Sequence, residues 1–111
     1  MQKYDFNAVR GDTFTGVQFQ IIVNAEPLDL TDATIKASFA KSGLGEVVFS
    51  WDTTAGQIVI TNPTEGRFKF SRIRINNPAG LYDYDIQITL ASGVVKTYIQ
   101  GKFTLNPDVT K

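Results

Sequence analysis

The chain has no cysteine and no histidine. That removes disulfides, Cys/His zinc sites, His-ligated haem and the Ser-His and Cys-His nucleophilic pairs. Its only methionine is Met1, and the residues that follow to Asp12 are polar and mixed in charge. No apolar h-region is present there, so the start reads as authentic and without a secretory signal, with synthesis in the cytoplasm. Long hydrophobic runs are missing as well. The longest aliphatic run is Ile21-Ile22-Val23, far short of the roughly 20 residues that span a bilayer, so a soluble protein with no membrane partner is expected. Excess charge of either sign is also lacking: 11 Lys plus Arg balance 11 Asp plus Glu, and no long-range field draws the whole chain to nucleic acid or anionic lipid. Glutamate is scarce, at positions 26, 46 and 65, and Asn62-Pro63-Thr64 is a glycosylation sequon blocked by its proline.

What is present favours strands. The 111 residues include 12 Thr, 9 Val and 10 Ile, against eight Ala and six Leu, a β-branched composition. With 42% hydrophobic and 20% charged residues, the chain can bury one core, and its length fits one domain, residues 1–111. Alternation is plainest in Tyr82, Tyr84, Ile86, Ile88 and Leu90, with Asp83, Asp85, Gln87 and Thr89 between them. This is the period of a half-buried strand. Val17, Phe19, Ile21 and Val23 form a second stripe, with Phe14 one residue out of phase across Gly16, which predicts a β-bulge. A third runs Val95, Thr97, Ile99, Gly101, Phe103, Leu105. Shorter strands are expected at Tyr4–Val9, Thr34–Ala40, Glu46–Trp51, Gln57–Thr61 and Gly66–Ile75. Leu28–Thr34 makes one helical turn at most.

Turn residues separate these runs at 10–12, 24–27, 42–45, 54–56, 62–66, 76–80 and 91–93. Seven gaps imply about eight strands at the spacing of a β-sandwich. One pattern sharpens the fold. Tyr82 follows Asn76-Asn77-Pro78-Ala79-Gly80-Leu81, and immunoglobulin sandwiches place a Tyr near the start of strand F that bonds backbone a few residues upstream, two residues before a Cys position held here by Tyr84. The expected fold is therefore all-β, an Ig-like β-sandwich of about seven or eight antiparallel strands. Phe19, Ile21, Ile35, Phe39, Trp51, Ile58, Ile60, Phe68, Phe70, Tyr82, Tyr84, Ile86, Ile88, Ile99 and Phe103 should be buried. Packing among Tyr84, Phe19 or Ile21 and Trp51 should replace the inter-sheet disulfide.

The motifs with chemical potential have plain alternatives. Arg10-Gly11-Asp12 spells an integrin-binding tripeptide but reads as a turn. Gly43-Leu44-Gly45 lacks the rest of a phosphate loop. Asp83 and Asp85 share a strand face, but no cleft or loop cluster of oxygens is visible, so a solvated face is expected. Arg67, Lys69, Arg72 and Arg74 lie in one strand-like stretch that could track a phosphate backbone. Alternation sends Phe68 and Phe70 to the opposite side from Arg67 and Lys69, whereas single-strand binders interleave aromatic and basic groups on one face. Single-stranded nucleic-acid binding through these four residues is the alternative function, and a solvated cationic face the simpler one. No residue is read as catalytic, cofactor-binding or metal-ligating, and no cofactor is expected.

A resemblance spans nearly the whole chain. Arg10–Phe14, Asn24–Pro27 leading into Leu28–Ile35, Ala79–Ile86, and Gly93–Leu105 together resemble the small Ig-like domains of bacteriophage and prophage structural proteins, similar to the N-terminal domain of baseplate upper proteins. The family usually has Gly where Asp32 stands, and residues 41–76 match weakly. The resemblance implies a non-enzymatic structural or adhesive module of a virion (tail, baseplate or head-associated), assembled in the host cytoplasm. Its implied partners are other phage structural proteins or copies of itself. Display on the particle surface, where such domains bind carbohydrate weakly, is the alternative within the family.

Overall fold

A computed structural model describes residues 2–11, 13–14, 17–43, 45–71, 73–74 and 78–107. Apart from one 3-10 turn, the regular structure of the described residues is all strand. In order these are β1 (Gln2–Lys3), β2 (Phe6–Val9), β3 (Thr13–Phe14), β4 (Gln18–Gln20), β5 (Ile22–Val23), β6 (Glu26–Pro27), β7 (Thr34–Lys41), β8 (Val47–Asp52), β9 (Ile58–Asn62), β10 (Arg67–Phe70), β11 (Ile73–Arg74), β12 (Gly80–Thr89) and β13 (Val95–Asn106). One 3-10 turn, Pro63–Glu65, joins β9 to β10.

Two sheets form the sandwich. One has the order β13-β12-β7-β8, with β1 and β2 both on the outer side of β13. The other has the order β4-β10-β9. This is the G-F-C-C′ and B-E-D division of an immunoglobulin-like fold. Several short strands are pieces of longer ones. Phe14 and Gln18 are four positions apart, as are Lys69 and Ile73, so β3·β11 and β4·β10 share one register. The bulge expected at Gly16 lies outside the described residues. Taking β1–β2, β3–β5 and β10–β11 each as one interrupted strand leaves nine strands among the described residues, of which β6 has only two residues.

The N-terminal strand departs from the antiparallel expectation. Gln2 pairs with Ile99 and Phe6 with Phe103, both parallel to β13 and in one register. The chain enters beside its own last strand, and the 85 residues between Val9 and Val95 make the parallel crossover possible.

Burial follows the alternation. All but one of the residues expected in the core are buried there. The exception is Ile60, half-buried on β9, the end strand of its sheet among the described residues. Phe6, Leu30, Ala33, Ala37 and Leu105 complete the core. The third stripe breaks. A bulge between Ile86 and Gln87 sets Gln87 opposite Thr97, leaving Tyr98 as the extra residue, so Val95 and Thr97 fall out of phase with buried Ile99 and Val95 is 53% exposed. Val23 leaves the second stripe because Asn24 and Ala25, both at positive φ, turn the chain into the β5–β6 hairpin.

Aromatic rings replace the inter-sheet disulfide. Phe70, from the B-E-D sheet, lies 5.8 Å from Phe6 and 5.2 Å from Trp51, while Phe39 stacks on Phe49 at 4.5 Å and leans on Trp51 at 4.7 Å. Each buried ring contributes through area and geometry. Tyr84 packs against Phe6 and Phe39. Leu30 plugs one end, its N–H donating to the Pro63 carbonyl at 2.8 Å. The Leu28–Thr34 segment holds this position through a turn instead of a helix: Asp29 Oδ1 accepts from the Thr31 N–H and hydroxyl at 2.9 and 2.6 Å. Those bonds hold the Asp29 carboxyl below its ordinary value. Gly66, at φ 68°, ends the 3-10 turn where a Cβ would stand 2.8 Å from the carbonyl oxygens of both Ile21 and Leu28.

Candidate contact surfaces

The tyrosine at the start of β12 closes the corner expected of it. The Tyr82 hydroxyl donates to the carbonyl of Pro78, and the ring is buried against Phe49 and Phe103. Two residues on, the Tyr84 hydroxyl donates to the carbonyl of Tyr4. Burial raises both phenols above the ordinary tyrosine value, and Asp5 adds to the effect at Tyr84.

Tyr4 and Asp5 form the break between β1 and β2, and three residues hold them. Tyr84 takes the Tyr4 carbonyl, the Lys102 N–H donates to Asp5 Oδ1 at 2.8 Å, and the Tyr4 N–H donates to the Gln100 carbonyl at 3.0 Å. Gly101 makes this approach possible, because a Cβ there would overlap the Tyr4 carbonyl oxygen and lie 2.7 Å from its carbon. A glycine inside a strand marks such close backbone approach. The sequence placed Gly101 only in an apolar stripe, and Tyr4 and Asp5 inside one strand, Tyr4–Val9, where the structure has a break.

The outer face of the larger sheet carries the carboxylates. Asp83 and Asp85 share it, alternating with buried Tyr82, Tyr84 and Ile86. Asp83 pairs with Lys102 at 2.5 Å, with both side chains about half exposed. Partial burial raises the Asp85 carboxyl. A cleft of about 390 Å³ lies between Lys3, Asp5, Asp83, Gln100 and Lys102, so its charges are of both signs. Among the described residues no group of three or more His, Cys, Asp or Glu could hold a metal ion.

The basic stretch divides. Arg67 and Lys69 are exposed on the outer face of β10, and Phe68 and Phe70 are buried on the inner face. Their cross-strand neighbours are Gln20 and Gln18 on β4, and Asn62 and Val59 on β9. No ring stands among these neighbours to stack a base. Arg72 and the side chain of Arg74 lie outside the described residues, as do Asp12 of the Arg10-Gly11-Asp12 turn and Leu44. Arg10 itself is half-buried, and its N–H donates to the Asn106 carbonyl at 2.8 Å, which ties this turn to β13.

The remaining surface features are strand edges. On β8, Val47 and Val48 are 58% and 48% exposed; on β9, Val59 is 40% exposed; on β5, Ile22 and Val23 are 50% and 37% exposed. Each of β8, β9 and β4 ends its sheet with one side unpaired among the described residues. Among the described residues no helix is long and apolar enough to cross a membrane.

No protein-family model matches the chain, and no curated protein matches it in sequence. Among solved structures, CopC from Methylosinus trichosporium OB3b is similar at 12% identity and a TM-score of 0.49, over 93% of this chain and 86% of that one. Extracellular domains 3–5 of Drosophila OTK are similar at 14% identity and a TM-score of 0.38, over 99% of this chain. The chain spans about a third of that structure, 34%. With its strand order, its closed tyrosine corner and its facing aromatic layers, the chain has an Ig-like β-sandwich fold.

Proposed function

We infer that the chain is a non-enzymatic structural or adhesive module of a bacteriophage or prophage particle, working through protein–protein contacts. The observation that carries this reading is the set of open, apolar strand edges. β8, β9 and β4–β5 each offer backbone N–H and C=O groups beside exposed valine or isoleucine, which suits strand addition by a neighbour. The phage assignment is supported by the resemblance at Arg10–Phe14, Asn24–Ile35, Ala79–Ile86 and Gly93–Leu105. Its partners are other particle proteins or copies of itself, and its site of action is the virion, after synthesis in the bacterial cytoplasm.

Nucleic-acid binding is the weaker reading, because Arg67 and Lys69 face Gln20, Gln18, Asn62 and Val59 and no aromatic platform. The test is fractionation. When phage production is induced in the strain encoding the chain, peptides from it should band with intact particles on a density gradient. Their restriction to the soluble fraction would overturn the virion reading.

A further inference from the structure

The smaller sheet ends at β4, and that end is open. In immunoglobulin sandwiches the sheet holding strands B, E and D carries a further strand, A, beside B. Here the N-terminal strand pairs with β13 of the other sheet. No strand of the described residues therefore covers the outer side of β4 or pairs with β5 from that side.

The direction of the free backbone groups follows from three bonds. The Val17 carbonyl accepts from Phe70 N–H at 3.2 Å, the Ile21 N–H donates to the Gly66 carbonyl at 2.9 Å, and the Ile21 carbonyl accepts from Leu28 N–H at 2.9 Å. Odd-numbered residues thus turn their backbone groups toward the rest of the sheet. By the two-residue period, the N–H and C=O of Gln18, Gln20 and Ile22 point to the open side.

Edges left open in monomers are usually blunted by charge or proline. The N-terminal strand carries Lys3, with Asp5 at its break, and β8 follows Glu46 and ends in Asp52. From Val17 to Asn24 there is no charged residue and no proline. The edge is lipped by exposed Ile22 and Val23, and a groove of about 280 Å³ runs from them to Lys96 and Tyr98 at the start of β13.

We propose that β4–β5 is a self-association edge, where the same strand of a second copy adds antiparallel about a two-fold axis at Gln20. This deepens, and rests on, the reading of the chain as a contact module. Two-fold pairing sets each residue against a copy of its own neighbours, so a charged edge tends to oppose like to like. The uncharged β4–β5 edge escapes that penalty. Pairing puts Gln18 opposite Ile22 and Gln20 opposite its own copy, with about six interstrand backbone hydrogen bonds from those three residues. β9, the other end of this sheet, is uncharged too, but Pro63 closes it after five residues.

Sedimentation equilibrium of the full chain tests this, comparing wild type with Gln20→Lys, Ile22→Lys and, as control, Leu81→Lys on the exposed face of β12, a strand paired on both sides. The expected result is a reversible monomer–dimer equilibrium, weakened at least tenfold by each β4–β5 variant and unchanged by Leu81→Lys, with circular dichroism confirming that all are folded. Amide exchange on the wild type gives a check independent of any variant: the N–H groups of Gln18, Gln20 and Ile22 should gain protection as protein concentration rises. A strict monomer at millimolar concentration, or a dimer indifferent to both edge variants, overturns the proposal. A monomer that still bands with phage particles overturns self-pairing alone, whereas a dimer absent from particles overturns the virion reading alone.

Discussion

The Tyr84 hydroxyl, in the middle of β12, donates to the carbonyl of Tyr4, 80 residues away, across the gap that Gly101 leaves in β13. This bond takes up a carbonyl at the break between β1 and β2. It therefore couples the N-terminal strand to the centre of the larger sheet.

Tyr84→Phe keeps the ring packing and deletes the bond. Removing one partner of a buried pair costs about 1–2 kcal/mol, so urea unfolding should show that loss, with amides of residues 2–9 exchanging faster than in wild type. An unchanged midpoint would mean the bond contributes nothing.

Gly101→Ala should be worse, although Gly101 is not at a left-handed φ and the change adds a single methyl group. The new Cβ overlaps the Tyr4 carbonyl and forces β1–β2 outward, an overpacking cost of about 1–3 kcal/mol. Trypsin cleavage after Lys3 and Arg10 should accelerate.

Tyr82→Phe opens the E–F corner. The expected loss is again about 1–2 kcal/mol, equivalent to a fall in Tm of several degrees for a domain of this size. By contrast Asp83→Ala, which removes a half-exposed ion pair with Lys102, should change stability by no more than about 0.5 kcal/mol.

Alkaline pH acts through the same two tyrosines. Both phenols are raised in the fold, so the folded state holds these protons more tightly than the unfolded chain. Their contribution is complete below the free-tyrosine value of about 10 and is lost as pH rises above it. Thermal melts from pH 8 to 11 should show Tm falling above pH 10, less steeply in Tyr84→Phe than in wild type.

The sandwich could be read because the signals that specify it are local. The Tyr82–Leu90 alternation and the turns at 42–45, 62–66 and 91–93 lie within single elements, and each reports its own strand. Positions governed by a distant partner could not be read in this way. Val95 and Thr97 follow the apolar phase of Ile99, yet the bulge against Ile86 and Gln87 decides where they point. Parallel pairing of Gln2 and Phe6 with β13 leaves no periodic mark that separates it from antiparallel pairing. The Tyr4–Gly101 approach is a contact between the two ends of the chain, visible only once the strands are in register. For the basic stretch, alternation correctly opposed Arg67 and Lys69 to Phe68 and Phe70, because that relation too is local.

The contact reading makes a further demand on the cationic face. A labelled single-stranded oligonucleotide should show no salt-dependent shift with wild type at low ionic strength. A shift abolished by Arg67→Ala with Lys69→Ala would favour the nucleic-acid alternative.

The central claim is that this sandwich serves a phage particle by contact, and deletion of its coding sequence from the phage genome tests it most directly. Electron microscopy of the particles produced, with infectious titre, is the measurement. The account predicts particles that lack a component or fail to attach, restored by supplying the chain in trans. Particles of normal form and titre from the deletion strain would contradict it.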